Sequence, residues 1–149
     1  MLDSNVFDKL VDDRDALALV RRLVESGEVV LLSTHVQADE IARTPDLERR
    51  ALLMSIPVQH VPTFGFALDY SRLGAARLGD SELLESLRRD NLENTEDALI
   101  GATAVFEQAT LVSEDRTLAK RARAQGIDVL DWSQFHERMR ELDGDASAP

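Results

Sequence analysis

The chain has 149 residues, 44% of them hydrophobic, and carries 17 basic against 28 acidic side chains for a net charge of -11. That length suits one domain with one sizeable core; the absence of cysteine excludes disulfides, thiolate metal sites and cysteine nucleophiles; the acidity excludes a general nucleic-acid coat. No apolar run approaches the ~20 residues of a membrane span, and the first residues lack the layout of a signal peptide, so a soluble cytoplasmic protein with no membrane partner is expected.

In chain order, Met1 and Leu2 read as a short first strand that ends at Asp3. Asp12 and Asp13 are placed to cap a helix running to about Ser26, with Leu17, Val20, Leu23 and Val24 on one face and Gly27 as its stop. EVVLLS follows as a buried strand. Thr34 and Gln37 have the spacing of a capping box, which starts a helix through Ala42, and PDLERRALLMS continues as another with proline in its first turn. PVQHVP, bracketed by prolines, is an edge strand or an extended link. Phe66 to Arg77 and Ser81 to Arg89 read as helices, Thr95 to Gln108 as a buried one, ATLVS as a strand, and Arg116 to Gln125 as a helix ended by Gly126. IDVLD and an amphipathic helix from Ser133 complete a domain over residues 1–142, and residues 143–149 (DGDASAP) are expected to be an unstructured tail. Strands alternating with helices predict an α/β fold whose parallel sheet is covered on both faces, with ligands beyond the carboxyl ends of the strands.

That rule draws attention to four acids. Asp3 and Asp115 lie just past strands, while Glu40 and Asp97 lie on helices that a parallel crossover can bring to the same edge. Each has a plainer use: Asp3 can close a turn, and Asp115 and Asp97 can cap helices. Glu40 follows Val36 by one helical turn and is expected on or beside the inward face, whereas Asp39, between His35 and Arg43, is expected in a solvated ion-pair row. The stretch ALIGATAVF carries no charge and includes the small residues Gly101, Ala102 and Ala104, so the helix that begins beside Glu96 and Asp97 is expected to be buried.

LDSNVFD, STHVQADEI, EDALIGATA, TLVSEDRTLAKRA and GIDVLDW, in that order, resemble the acidic and apolar blocks of PIN-domain nucleases, closest to the VapC-like toxin ribonucleases. The resemblance covers nearly the whole chain and is weakest from Val61 to Arg89. It implies a three-layer α/β/α fold with a central, mostly parallel sheet, and it puts the family's four acids on Asp3, Glu40, Asp97 and Asp115, with Asn5 and Ser113 in supporting positions. Two departures stand out: only Met1 and Leu2 precede Asp3, and Glu114 is a plausible substitute for the fourth acid.

Such a site has a chemistry of its own. Carboxylates crowded into one pocket repel, and a hard divalent cation, Mg2+ or Mn2+, relieves that repulsion through oxygen ligands while acidifying a bound water for attack on a phosphodiester. His35, His60 and His136 have no metal-ligand spacing and are read as surface or structural. This chemistry serves DNA and RNA alike; the resemblance to the toxins is what implies a metal-dependent endoribonuclease acting on single-stranded or structured RNA, the toxin of a toxin-antitoxin pair, with a cognate antitoxin and a homodimer as partners. A phospho-accepting receiver domain would want a lysine directly after a late strand, where neither Lys9 nor Lys120 stands. A degenerate scaffold of the same fold, a metal-dependent phosphatase and a DNA-directed nuclease remain as alternatives. For RNA held against a net negative field, Arg43, Arg49 and Arg50, together with Arg72 and Arg77 in the middle segment, are the expected basic rim, although solvated helix faces explain each equally well.

Overall fold

The computed structural model describes residues 1–65, 76–77, 81–88 and 95–146. Most of the helices begin on a side-chain cap. Asp3 accepts from the Ser4 amide and opens α1 (Ser4–Asp12), whose Val6, Phe7 and Leu10 are buried. Asp13 accepts from the Ala16 amide and opens α2 (Arg14–Glu25), which ends where Gly27 takes the left-handed conformation at φ 81°. The first of these helices was not foreseen, because attention to Asp3 as the end of a strand concealed its second use as a cap.

Next come β1 (Leu32–Ser33) and α3 (His35–Ala42), the latter started by a complete Thr34/Gln37 capping box. Helix α4 (Leu47–Met54) is capped by Asp46, so Pro45 lies before the cap and not inside the first turn. Strands β2 (Gln59–His60), β3 (Thr63–Phe64) and β4 (Ala76–Arg77) follow. The helix expected over residues 66–77 is corrected at its end, since Ala76 and Arg77 pair in parallel with Thr63 and Phe64; its remainder lies outside the described residues. Helices α5 (Ser81–Arg88) and α6 (Thr95–Phe106), strand β5 (Leu111–Val112), helix α7 (Arg116–Ala124), strand β6 (Val129–Leu130) and helix α8 (Trp132–Ala146) complete the order. The last helix runs past Asp143, where a tail had been expected, and Arg22 holds Asp143 at 2.9 Å.

The strands are short, and the pairs β1·β2, β3·β4 and β5·β6 are all parallel. Met1–Asp3 joins two of these pairs. Leu2 N–H donates to the Leu32 carbonyl at 3.2 Å, while Asp3 N–H donates to the Val112 carbonyl and Val112 N–H to the Met1 carbonyl, each at 2.9 Å. The hydrogen-bonded order is therefore β2, β1, Met1–Asp3, β5, β6, with the N-terminal segment in the middle.

The pleat then divides the apolar residues, because successive strand side chains point to opposite faces. Met1, Leu111 and Val129 join one core cluster with Leu99 and Ile100 of α6 and Leu118 of α7. Leu2 and Val112 join the other with Phe7 and Leu10 of α1, Leu23 of α2 and Phe135 of α8. Helix α6 can lie this deep because it is narrow: a Cβ on Gly101 would stand 3.1 Å from Leu118 and 3.4 Å from Leu87. Thr103 of α6 accepts from the Phe64 amide at 2.9 Å and so ties β3 to that helix.

Candidate active site

Asp3 lies where the central segment meets α1, and it is 3% exposed. One carboxylate oxygen accepts from the Ser4 amide at 2.8 Å; the other accepts from the Asn5 amide group at 2.9 Å and from the Ser113 hydroxyl at 2.5 Å. The Ser113 hydroxyl in turn accepts from the Asp115 amide at 3.0 Å. Two strand ends that are distant in sequence are thus tied by one hydroxyl. Burial pushes the Asp3 carboxyl above the usual range, its hydrogen bonds from Ser113, Ser4 and Asn5 pull the other way, and the charge of Asp115 adds a further push upward.

Asp115 also caps α7, accepting from the Thr117 amide at 2.7 Å and the Leu118 amide at 3.1 Å. Its plainer use is therefore real and coexists with its place beside Asp3. Glu114 turns elsewhere: it accepts from the Trp132 amide at 2.7 Å and pairs with Lys9 at 3.4 Å, joining α8 to α1. Of these two neighbours, Asp115 is the one whose charge reaches Asp3 and Asp97.

Asp97 stands in the first turn of α6. Its carboxyl is pushed up to about 6, first by burial and then by the charges of Asp3, Asp115, Glu40 and Glu96. Asp97 thus feels the other three acids, and Glu96, its neighbour in the first turn, adds to the same field. Glu40 departs from expectation. It is exposed, while Asp39 is the half-buried one. The capping box fixes the rotation of α3 with Val36 and Gln37 buried, and Glu40, one turn on, emerges beyond the packed part. It lines a cleft of about 100 Å³ with Ser4, Phe7, Asp8 and Gln37.

Gln37 was noticed only as a cap and does more. Fully buried, it accepts from the Thr34 amide at 2.8 Å and donates to the Leu2 carbonyl at 2.7 Å, fixing α3 against the segment that carries Asp3. The sequence signal available was the position of Gln37 beside the inward-facing Val36, where a polar side chain needs partners.

The expected basic rim is largely occupied. Arg49 grips Asp8 at 2.6 Å and Asp12 at 2.7 Å, clamping α4 to α1. Arg77 pairs with Glu107 at 2.8 Å and lies 4.8 Å over the Phe106 ring. Arg50 donates to the Ala42 carbonyl at 3.1 Å. Arg43 is exposed at the end of α3, and Arg72 lies outside the described residues. His136 stacks on Trp132 with ring centroids 6.0 Å apart.

Among the described residues no three His, Asp or Glu side chains form a ready cage for a metal ion. The donor set is nevertheless the kind a hard cation takes, since oxygens alone are offered, and Asp97 is lifted first by burial and then by the neighbouring carboxylates. No helix among the described residues is long and apolar enough to cross a membrane. Comparison with family models, with curated proteins and with solved structures gave no match.

Proposed function

We propose that the protein is a metal-dependent endoribonuclease with a PIN-like, three-layer α/β/α arrangement. The observation that carries this reading is the Ser113 hydroxyl that ties Asp3 to the backbone of Asp115, and it is supported by Asp97, whose carboxyl is raised first by burial and then by the charges of Asp3, Asp115 and Glu40 from other elements. The order of the segments supports it. Chain order reverses between Met1–Asp3 and β5, and ligands of open parallel sheets bind beyond the carboxyl ends of strands at such a reversal. The two core clusters on alternate strand residues support the layers.

Asp3, Asp97 and Asp115, with Glu40 at the rim, would hold Mg2+ or Mn2+. When bound, such an ion supplies charge neutralisation at a phosphodiester and an acidified water. The chain's own residues do the positioning: Ser4, Asn5 and Ser113 fix both oxygens of Asp3, and Ser113 fixes the backbone of Asp115. Glu40 is exposed and would meet a substrate from the solvent side. The resemblance to VapC-like toxins extends the reading to a toxin with an antitoxin partner and a homodimer, and co-purification with the product of an adjacent gene is the check on that extension.

Asp3→Asn tests the reading. Asparagine caps helices as well as aspartate does, so α1 survives while the charge is lost. Calorimetric titration with Mn2+ should show weaker binding than in the wild type, and cleavage of single-stranded RNA should collapse. Equal metal affinity and equal cleavage in the two proteins would return Asp3 to a purely structural role, and a degenerate scaffold would become the better reading.

A further inference from the structure

Helix α7 stands apart in a chain of net charge -11. Its sequence, RTLAKRARA, holds four basic residues and no acid. Leu118, Ala119 and Ala122 are buried, whereas Arg116, Lys120 and Arg123, at spacings of four and three, are exposed along one face. Five arginines elsewhere meet carboxylates, Arg22 with Asp143, Arg49 with Asp8 and Asp12, Arg77 with Glu107, Arg88 with Glu85 and Arg138 with Glu141, while Arg21 and Arg50 donate to Ser55 and to the Ala42 carbonyl. Among the described residues none of the four α7 cations forms such a pair. Arg123 and Arg121 donate instead to the Val129 and Leu87 carbonyls.

The position of Arg116 runs against helix stability. A cation in the first turn faces the positive end of the helix dipole, where an acid is favoured, and α7 has no acid in that turn. The Asp115 cap supplies the acid that this end of the helix favours, so Arg116 is tolerated there with its side chain exposed to solvent. The ridge also starts beside Asp115, which belongs to the acidic centre. From Arg116 to Lys120 the helix rises about 6 Å, comparable with the step between successive phosphates of an extended strand.

We propose that the exposed face of α7 is the track for the phosphate backbone of single-stranded RNA, leading the strand to the acids at the end of β5. This rests on the nuclease reading for its purpose, and on the charge and exposure of α7 for its location. Arg116 and Lys120 contact successive phosphates and supply position without base preference.

The test compares wild type with the double variant Arg116→Gln/Lys120→Gln, and with Arg138→Gln as a control for loss of charge elsewhere. Binding of a labelled single-stranded RNA is measured in EDTA over a range of salt. At about 0.7 per lost phosphate contact on a single strand, the slope of log K against log salt should fall by about 1.4 in the double variant and stay unchanged in the control. With metal present, KM should rise while kcat at saturating RNA is kept. Equal slopes in wild type and double variant, or an equal loss in the control, overturn the proposal. So does a wild type that binds anionic lipid vesicles or an acidic peptide but no RNA. A wild type that binds RNA through this face and does not cleave it keeps the track and removes the nuclease reading.

Discussion

The hydroxyl of Ser113 donates to Asp3 across 110 positions of sequence, and the same oxygen accepts the amide of Asp115. One small side chain therefore holds together two acids that local sequence leaves unrelated.

Ser113→Ala should leave an Asp3 oxygen with only Asn5 and the Asp115 amide with no partner from that hydroxyl. Leaving buried polar groups unsatisfied costs roughly 1–3 kcal/mol, to be read from urea denaturation at neutral pH. The hydrogen bond from Ser113 is among the influences that lower the Asp3 pKa, so carbon-detected NMR titration of that carboxyl should show it moved further up in the variant. Unchanged stability together with an unchanged Asp3 titration would mean that the hydroxyl is incidental.

Asp97 gives the metal-free protein a pH dependence of defined sign. Burial and the neighbouring acids push its carboxyl from the ordinary 3.8 of an unfolded chain up to about 6 in the folded one. Between those values the folded state holds the proton more firmly, so the linked stability is complete below about 3.8 and is lost as pH rises through about 6. Allowing for solvent screening of a half-exposed group, the loss is roughly 1–2 kcal/mol. Asp97→Asn lacks this titration. Denaturation of both proteins at pH 4 and pH 7 in EDTA should therefore find the variant gaining on the wild type by about that amount at the higher pH. Parallel pH profiles for the two proteins would show that neither burial nor the neighbouring acids raise Asp97 in solution.

Gln37→Leu keeps the volume of a fully buried side chain and removes its polar contacts. The Leu2 carbonyl and the Thr34 amide would each lose a partner, and two such losses cost roughly 2–5 kcal/mol. Thermal unfolding followed by circular dichroism checks the size of the effect. A fall within the few tenths typical of surface substitutions would mean that α3 is held by its apolar contacts alone.

Much of the helical framework is legible in the sequence, because the signals that start and stop helices act over two or three residues. The Thr34/Gln37 box, the Asp13 cap, the glycine stops at Gly27 and Gly126 and the uncharged α6 stand where local pattern puts them. Strand length and helix phase were harder. EVVLLS yields only Leu32–Ser33 as strand, and Glu40 shares a side with buried residues yet projects past what could cover it. Ala76 and Arg77 became a strand because Thr63 and Phe64 offered them a partner, which no local pattern announces. The acid types at Asp3, Asp97 and Asp115 were likewise readable, since carboxylates beside strand and helix ends are visible in one dimension. Their mutual influence was not. It depends on Met1–Asp3 inserting between β1 and β5, a pairing of residues more than a hundred positions apart that is decided by which apolar faces can be buried together. Local hydrogen bonds let the sequence set the caps, while burial of both faces of a narrow sheet, a property of the whole chain, brought Asp3 to Ser113 and the Asp115 backbone.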